Sequence, residues 1–257
     1  MRKSSLKNNK YIIISTIIII ILWEIVSVIV NNQIIMPGIK NILFEGEKIL
    51  VNGDFISLIY YSLIRCFISF LISIILAILL GVLSYINKWI YNFIYPILAV
   101  IKSVPTMAFI VLVLVWVSKE TAPILIGIII SLPIFYDVTI NTLINTDVKL
   151  IEMCRVYKVK EIDILKKIYL PSITVSISNI LSSTISLIFK VVIAGEVYAQ
   201  PKYGIGAAIQ LEKMQLNTSA VITWIIIIAI VSMIVDKILS VLLKKFNKWK
   251  GEDHYIN

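Results

Sequence analysis

Residues 147–171 read DVKLIEMCRVYKVKEIDILKKIYLP. They carry six basic side chains (Lys149, Arg155, Lys158, Lys160, Lys166, Lys167) and four acidic ones (Asp147, Glu152, Glu161, Asp163). On both sides lie apolar runs long enough to cross a bilayer, for which about 20 helical residues suffice. A segment so charged between two such runs must protrude into water. Its mixed charge and helix-forming residues suit docking to a soluble partner better than chemistry within the membrane.

Outward from this island, the flanking runs are residues 122–144 and 172–199, and four more lie at 11–30, 58–86, 90–117 and 220–243. Pro96 and Pro105 fall inside the third run. The pattern predicts an all-α integral membrane protein with six transmembrane helices. The first run follows basic residues, as a signal peptide does. Its apolar core is longer than a signal core and no A-x-A-like cleavage site follows, so a retained helix is expected. Composition agrees, since the chain is 59% hydrophobic and 15% charged over 257 residues, more apolar than a soluble domain.

The formal net charge of +9 would suggest nucleic acid in a soluble protein. Here the basic residues cluster in loops, where membrane topology accounts for them. One set of alternate loops holds Arg2, Lys3, Lys7, Lys10, Lys88, the six of the island and Lys244, Lys245, Lys248 and Lys250, 15 in all. The other set holds 5, namely Lys40, Lys48, Lys119, Lys202 and Lys213. The bias puts both termini and the island in the cytoplasm.

Some charges remain at membrane depth, where they are costly and usually face a polar cavity or a partner. Arg65 and Lys237 lie near span ends and read as snorkelling side chains. Lys102, Lys190 and Glu196, with Pro105 at the break, are candidates for lining a translocation pathway; the alternative for the lysines is that their long side chains reach an interface. Asp137 also falls in apolar surroundings. Lys190 and Glu196 stand six residues apart, which puts them on different sides of a helix. Glu196 is expected near the outer gate and Lys190 deeper.

No catalytic constellation presents itself. A phosphate-binding G-x-x-x-x-G-K-[ST], an H-E-x-x-H and a G-x-S-x-G are all missing, so neither ATP binding by that loop nor zinc or serine hydrolysis is expected. The only histidine is His254, which leaves no histidine cluster for a metal, and no cofactor is expected. Cys66 lies in an apolar run and Cys154 in the island, so they are not expected to pair. Gly204-Ile205-Gly206 reads as a turn outside the membrane.

The island resembles the cytoplasmic "EAA" loop of binding-protein-dependent ABC importer permeases. There a Glu and two small residues precede a Gly, and Leu-Pro closes the loop. Here Glu152-Met153-Cys154 takes those positions, followed by Arg155, and Leu170-Pro171 ends the segment nineteen residues after Glu152. Asp147 and Leu150-Ile151 match the lead-in. Lys158 stands where the family has Gly, a residue that permits positive φ. Other segments are similar to permeases for nitrate, sulfonates and taurine: Ser62-Leu63-x-Arg65, Lys102-Ser103-Val104-Pro105, Leu132-Pro133-Ile134-Phe135 with Asn141, Ala194-Gly195-Glu196, Gly204-Ile205-Gly206, and Met36-Pro37. The resemblance spans about residues 20–245.

It implies a type I importer permease fold and a chain that is not itself an enzyme. Two copies would form the pathway, with ATPase subunits docked at Asp147, Leu150, Glu152, Met153, Cys154, Arg155, Lys158, Leu170 and Pro171. An extracytoplasmic solute-binding protein would sit on the other side, and lipid would surround the whole in a prokaryotic plasma membrane. The expected division is 1–57 for the tail, first helix and outer loop, 58–245 for a five-helix core with coupling loop 145–171, and 246–257 for a cytoplasmic tail. The substrate expected is a small anionic or zwitterionic solute, nitrate-, sulfonate- or taurine-like or a thiamine precursor. A secondary transporter is the alternative, but no second broken span matches the Pro96–Pro105 break.

Overall fold

The computed structural model describes residues 9–252, with side chains for Tyr11 and residues 13–241. Both terminal basic clusters counted above, and His254, lie outside the described side chains. Every described element is helical. The first helix, α1 (Asn9–Val30), is an Ile-rich rod. Isoleucine is a modest helix former in water, but in hydrocarbon the helix is what satisfies its backbone. Asn31 ends it with φ 45°, and α2 (Ile39–Val51) follows as a short amphipathic helix burying Ile42 and Ile49. Three side chains from α1 fasten this corner: Trp23 Nε1 donates to the Pro37 carbonyl, Ser27 Oγ to the Met36 carbonyl, and Glu24 Oε2 accepts from Ile39 N.

The central helices are α3 (Phe55–Ile86), α6 (Ala122–Ile144) and α9 (Leu170–Ala199). Contacts between α3 and α6 run in step. Ser69 meets Gly127, Ser73 accepts from Ser131 Oγ at 2.6 Å, and Gly81 meets Thr139. The two helices are therefore parallel. Small residues allow that closeness, as is usual where lipid supplies no hydrophobic drive between helices. A Cβ on Gly127 would lie 2.6 Å from Ser69 Oγ and 2.8 Å from its Cβ. Helix α9 runs the other way, with Glu196 against Ser62 and Tyr169 against Tyr85. Phe70, Phe135, Phe189 and Ile188 fill the core between these helices.

Parallel α3 and α6 require the chain to cross back between them. That crossing is α4 (Lys88–Ser103) followed by α5 (Thr106–Trp116), bent by 109° at Val104-Pro105. Five helices are long and apolar enough to span a membrane, and the parallel run of α3 and α6 makes this bent pair the sixth crossing. The expected span at 90–117 is thus a broken one: Pro96 is absorbed within α4, whereas Pro105 caps α5. Val104 before Pro105 is extended, with ψ 133°, as the proline ring demands of its neighbour.

The island forms α7 (Val148–Val156), a turn, α8 (Glu161–Ile164) and a π-helical turn (Leu165–Tyr169) that runs directly into α9. The island is thus two short helices and a π turn, with Pro171 at the start of the next span. Pro171 sits in the first turn of α9, where a missing N–H is tolerated. Gln200 ends α9 with φ 50°. Then α10 (Ile205–Met214) packs on α9 and α11 at the end opposite the island, and α11 (Thr218–Glu252) returns beside α2 and α9.

Candidate functional site

Three groups of polar residues interrupt the apolar scaffold, one at each end and one between. The island forms the first. Asp147 caps α7, its Oδ1 accepting from Lys149 N at 2.9 Å. Ile151 and Cys154 turn inward against the core that also holds Ile164 and Tyr169. Their burial leaves Leu150, Met153, Val156 and Tyr157 facing out, with Val156 and Tyr157 more than three-quarters exposed. Leu150, Met153 and Tyr157 follow the i, i+3, i+7 spacing by which a helix presents one face to a groove. Glu152 and Arg155 are exposed beside that stripe and form no ion pair among the described residues. Leu170 and Pro171 are half-buried at the foot of α9.

The turn after α7 is built on Lys158, whose φ is 54°. Lys158 N donates to the Arg155 carbonyl and Val159 N to the Cys154 carbonyl, both at 2.9 Å. That pair of bonds is the Schellman closure of a helix C-terminus, which usually takes Gly at this position. Lysine therefore adopts the left-handed conformation that the family's glycine permits, at an expense of about 1–2 kcal/mol.

The second group lies at the opposite end. Arg65 Nη1 donates to Glu196 Oε1 at 2.8 Å and to the Tyr203 carbonyl at 2.6 Å. Its Nη2 donates to Glu120 Oε2 at 2.9 Å. Ser62 Oγ donates to Glu196 and accepts from Ile205 N, while Gly206 N donates to Glu196 Oε2. Glu120 Oε1 accepts from Lys202 N. Gly206 must lack a side chain here, since a Cβ would lie 2.4 Å from the Ile193 carbonyl. Arg65 is 5% exposed and Glu196 fully buried. Arg65 accordingly does not snorkel: its guanidinium turns inward because two carboxylates and a carbonyl await it there. Gly204-Ile205-Gly206 is likewise more than a turn, since its amides bind the α3 and α9 side chains.

The third group sits at the break between α4 and α5. Lys102 Nζ reaches both carboxylate oxygens of Asp137, at 2.6 and 2.7 Å. Asp137 stands seven residues before the C-terminal end of α6, about 10 Å along the axis. The pair is thus well inside the span. Pro105 is exposed at the same break, and Lys190 is exposed on α9 on a different side from buried Glu196. Sequence reasoning singled out Lys102 and noted Asp137 only as an isolated charge. It passed over Glu120, which precedes the first turn of α6 and carries no mark beyond a charge at a span end.

A six-crossing helical scaffold with a charged two-helix island at one end agrees with what is found among known proteins. Residues 69–248 match the family model described as the binding-protein-dependent transport system inner membrane component. The chain is 24% identical over 240 residues to a putative ABC transporter permease protein of Methanocaldococcus jannaschii, covering 90% of this chain and 88% of that one. It is 25% identical over 239 residues to the putative aliphatic sulfonates transport permease protein SsuC of Bacillus subtilis, covering 91% and 85%. Among solved structures, inward-facing MetNI methionine ABC transporter forms superpose with TM-scores of 0.63 and 0.57 at 18% and 16% identity. These cover 77% and 74% of this chain and 95% and 99% of theirs, and share its fold. With the match running through the helices that build the core, the chain belongs to the binding-protein-dependent inner membrane components, the type I permeases of ABC importers.

Proposed function

We propose that this permease subunit encloses half of a translocation pathway in a prokaryotic plasma membrane, both termini cytoplasmic, and pairs with a second copy. ATPase subunits dock at residues 147–171, and an extracytoplasmic solute-binding protein delivers the solute to the opposite face. Residues 58–245 form the moving core, residues 1–57 precede it, and 246–257 end the chain in the cytoplasm. The observation that carries this reading is the island. Its outward apolar stripe, Leu150, Met153 and Tyr157, stands at the water-exposed end of a short helix whose inner face is anchored in the core. Such a helix can pass rigid-body motion of a soluble partner to α6 and α9, between which it is covalently strung.

The solute proposed is a small anion or zwitterion. The likeness to an aliphatic sulfonates permease supports that class. Purification from a host expressing its neighbouring transport genes tests the assembly: a P-loop ATPase should co-purify, and proteoliposomes with the binding protein outside should take up solute only with ATP inside. ATP-independent uptake coupled to an ion gradient would refute it.

A further inference from the structure

A cavity of about 380 Å³ opens beside the α4–α5 break, lined by Tyr95, Leu98, Ala99 and Ser103 together with Lys102 and Asp137. Its size falls within the range of small-molecule sites. The two ion pairs of the core differ in what surrounds them. Glu196 is sealed, and Arg65, Ser62 and Gly206 N all donate to its carboxylate. Asp137 accepts from Lys102 alone among the described residues, and the Lys102 ammonium donates to Asp137 alone. Both side chains are nearly half exposed, at 45% and 43%. Each charge therefore keeps hydrogen-bonding capacity that no group among the described residues takes up. A pair this open at membrane depth belongs against a polar space and not against lipid tails.

We propose that Lys102 and Asp137 form a subsite for a small zwitterionic solute, whose anionic group meets the Lys102 ammonium while its cationic group meets the Asp137 carboxylate. Placing the cavity on the pathway rests on the permease reading above. The charge logic decides the class. A purely anionic solute meets a lysine that is already neutralised, and drawing Lys102 away leaves Asp137 unpaired at membrane depth. A lone cation meets the mirror problem. A zwitterion opens the pair and compensates both halves at once, so the cavity stays neutral throughout. One turn before Lys102 on α4 the lining is apolar at Leu98 and Ala99, which suits the short carbon spacer between the two groups of such a solute.

The test uses the permease–ATPase complex in nanodiscs, with Cys66→Ser and Cys154→Ser, and Ser103→Cys as a reporter in the cavity wall. The rate of maleimide labelling is followed with taurine or β-alanine, with ethanesulfonate or propionate, and with ethylamine. At least one zwitterion should slow labelling about threefold or more, as occupancy by mass action requires, at a concentration where the matched anion and amine leave the rate unchanged. Asp137→Asn should transfer protection to the anions. Equal protection by ethanesulfonate and taurine, or no protection by either zwitterion, overturns the proposal; so does an Asp137→Asn variant with the parent's preference. The comparison in the parent needs no charge substitution, so it stands even where Asp137→Asn fails to assemble. Labelling needs no ATP turnover, and ATPase co-purification scored in the same preparation reports separately on the permease reading.

Discussion

Arg65 and Glu196, 131 residues apart in sequence, meet at 2.8 Å inside the end of the helix bundle opposite the island. Their bond joins α3 to α9, and through Tyr203, Gly206 and Glu120 it also fixes the start of α10 and the loop before α6. Removing one partner leaves the other charge buried and uncompensated, which costs about 3–5 kcal/mol. Arg65→Ala should therefore lower thermal stability in detergent sharply. Arg65→Met combined with Glu196→Met should lose less than Arg65→Ala alone. Glu120→Ala should cost less than about 1 kcal/mol, because exposed pairs contribute little and Glu120 is 46% exposed. A double variant less stable than Arg65→Ala would show that the buried charges act separately.

The α3–α6 seam makes a second prediction. A Cβ at Gly127 clashes with both Ser69 Oγ and Ser69 Cβ, so Gly127→Ala must push parallel helices apart. Overpacking of this kind costs about 1–3 kcal/mol. Ser69→Gly frees the space, at the expense of the Ser69 Oγ hydrogen bond to the Ile124 carbonyl. Thermal unfolding of the two single variants and the double should reveal coupling, with Ser69→Gly less harmful in the Gly127→Ala background than alone.

Much of this was legible in the sequence, and the unread part has a physical cause. Hydropathy marks the spans because hydrocarbon forces every backbone group into a helix. It does not report a 109° bend, and Pro96 and Pro105 both stood as places where the span could break. Ser62-Leu63-x-Arg65, Ala194-Gly195-Glu196 and Gly204-Ile205-Gly206 were three weak local likenesses. In space they are one network, since Ser62, Arg65, Glu196 and the amides of Ile205 and Gly206 all converge. A position near a span end could not distinguish a snorkelling Arg65 from a buried one; only the partner across the bundle decides it. Asp137 was visible as a charge, but its pairing with Lys102 depends on the bend that brings α4 beside α6.

Lys158 in the left-handed conformation gives a third prediction. Lys158→Gly retains the Schellman bonds and removes the Cβ penalty, so it should stabilise the island turn by about 1 kcal/mol. Hydrogen exchange of the Lys158 and Val159 amides should slow accordingly. Lys158→Val should accelerate it, because a β-branched side chain tolerates positive φ least. Faster exchange in the Lys158→Gly variant would mean that the lysine side chain itself holds the turn.

The two ends of the molecule are separable by labelling. Residues 31–55, 117–121 and 200–217 lie at one end, and residues 145–169 at the other, as the Arg65–Glu120 and Tyr85–Tyr169 contacts require. With the basic bias of the loops, single cysteines at Lys48 and Lys213 should react with an impermeant thiol reagent on intact cells, in a background lacking Cys66 and Cys154. A single cysteine at Lys158 should react only after the membrane is opened. Labelling at 158 from outside would invert the orientation.

Energy coupling is the prediction on which the proposed function turns. Glu152 projects from α7 beside the exposed stripe of Leu150, Met153 and Tyr157, while Arg155 stands one turn further on. Docking of a soluble ATPase would cover the stripe and take both charges out of water. A charge left unpaired in such an interface costs about 2–5 kcal/mol, so Glu152→Lys should weaken docking by one or more orders of magnitude or leave the ATPase bound but uncoupled. Neither Glu152 nor Arg155 holds the fold through an ion pair among the described residues, so insertion and thermal stability should be unchanged. Pro171→Ala should do less: the helix already runs through that position from the π turn into α9, and the substitution removes no contact of the exposed stripe. The measurements are ATPase co-purification, binding-protein-stimulated ATP hydrolysis and ATP-driven uptake in proteoliposomes. Normal uptake by the Glu152→Lys variant would show that energy enters the membrane helices somewhere other than this island.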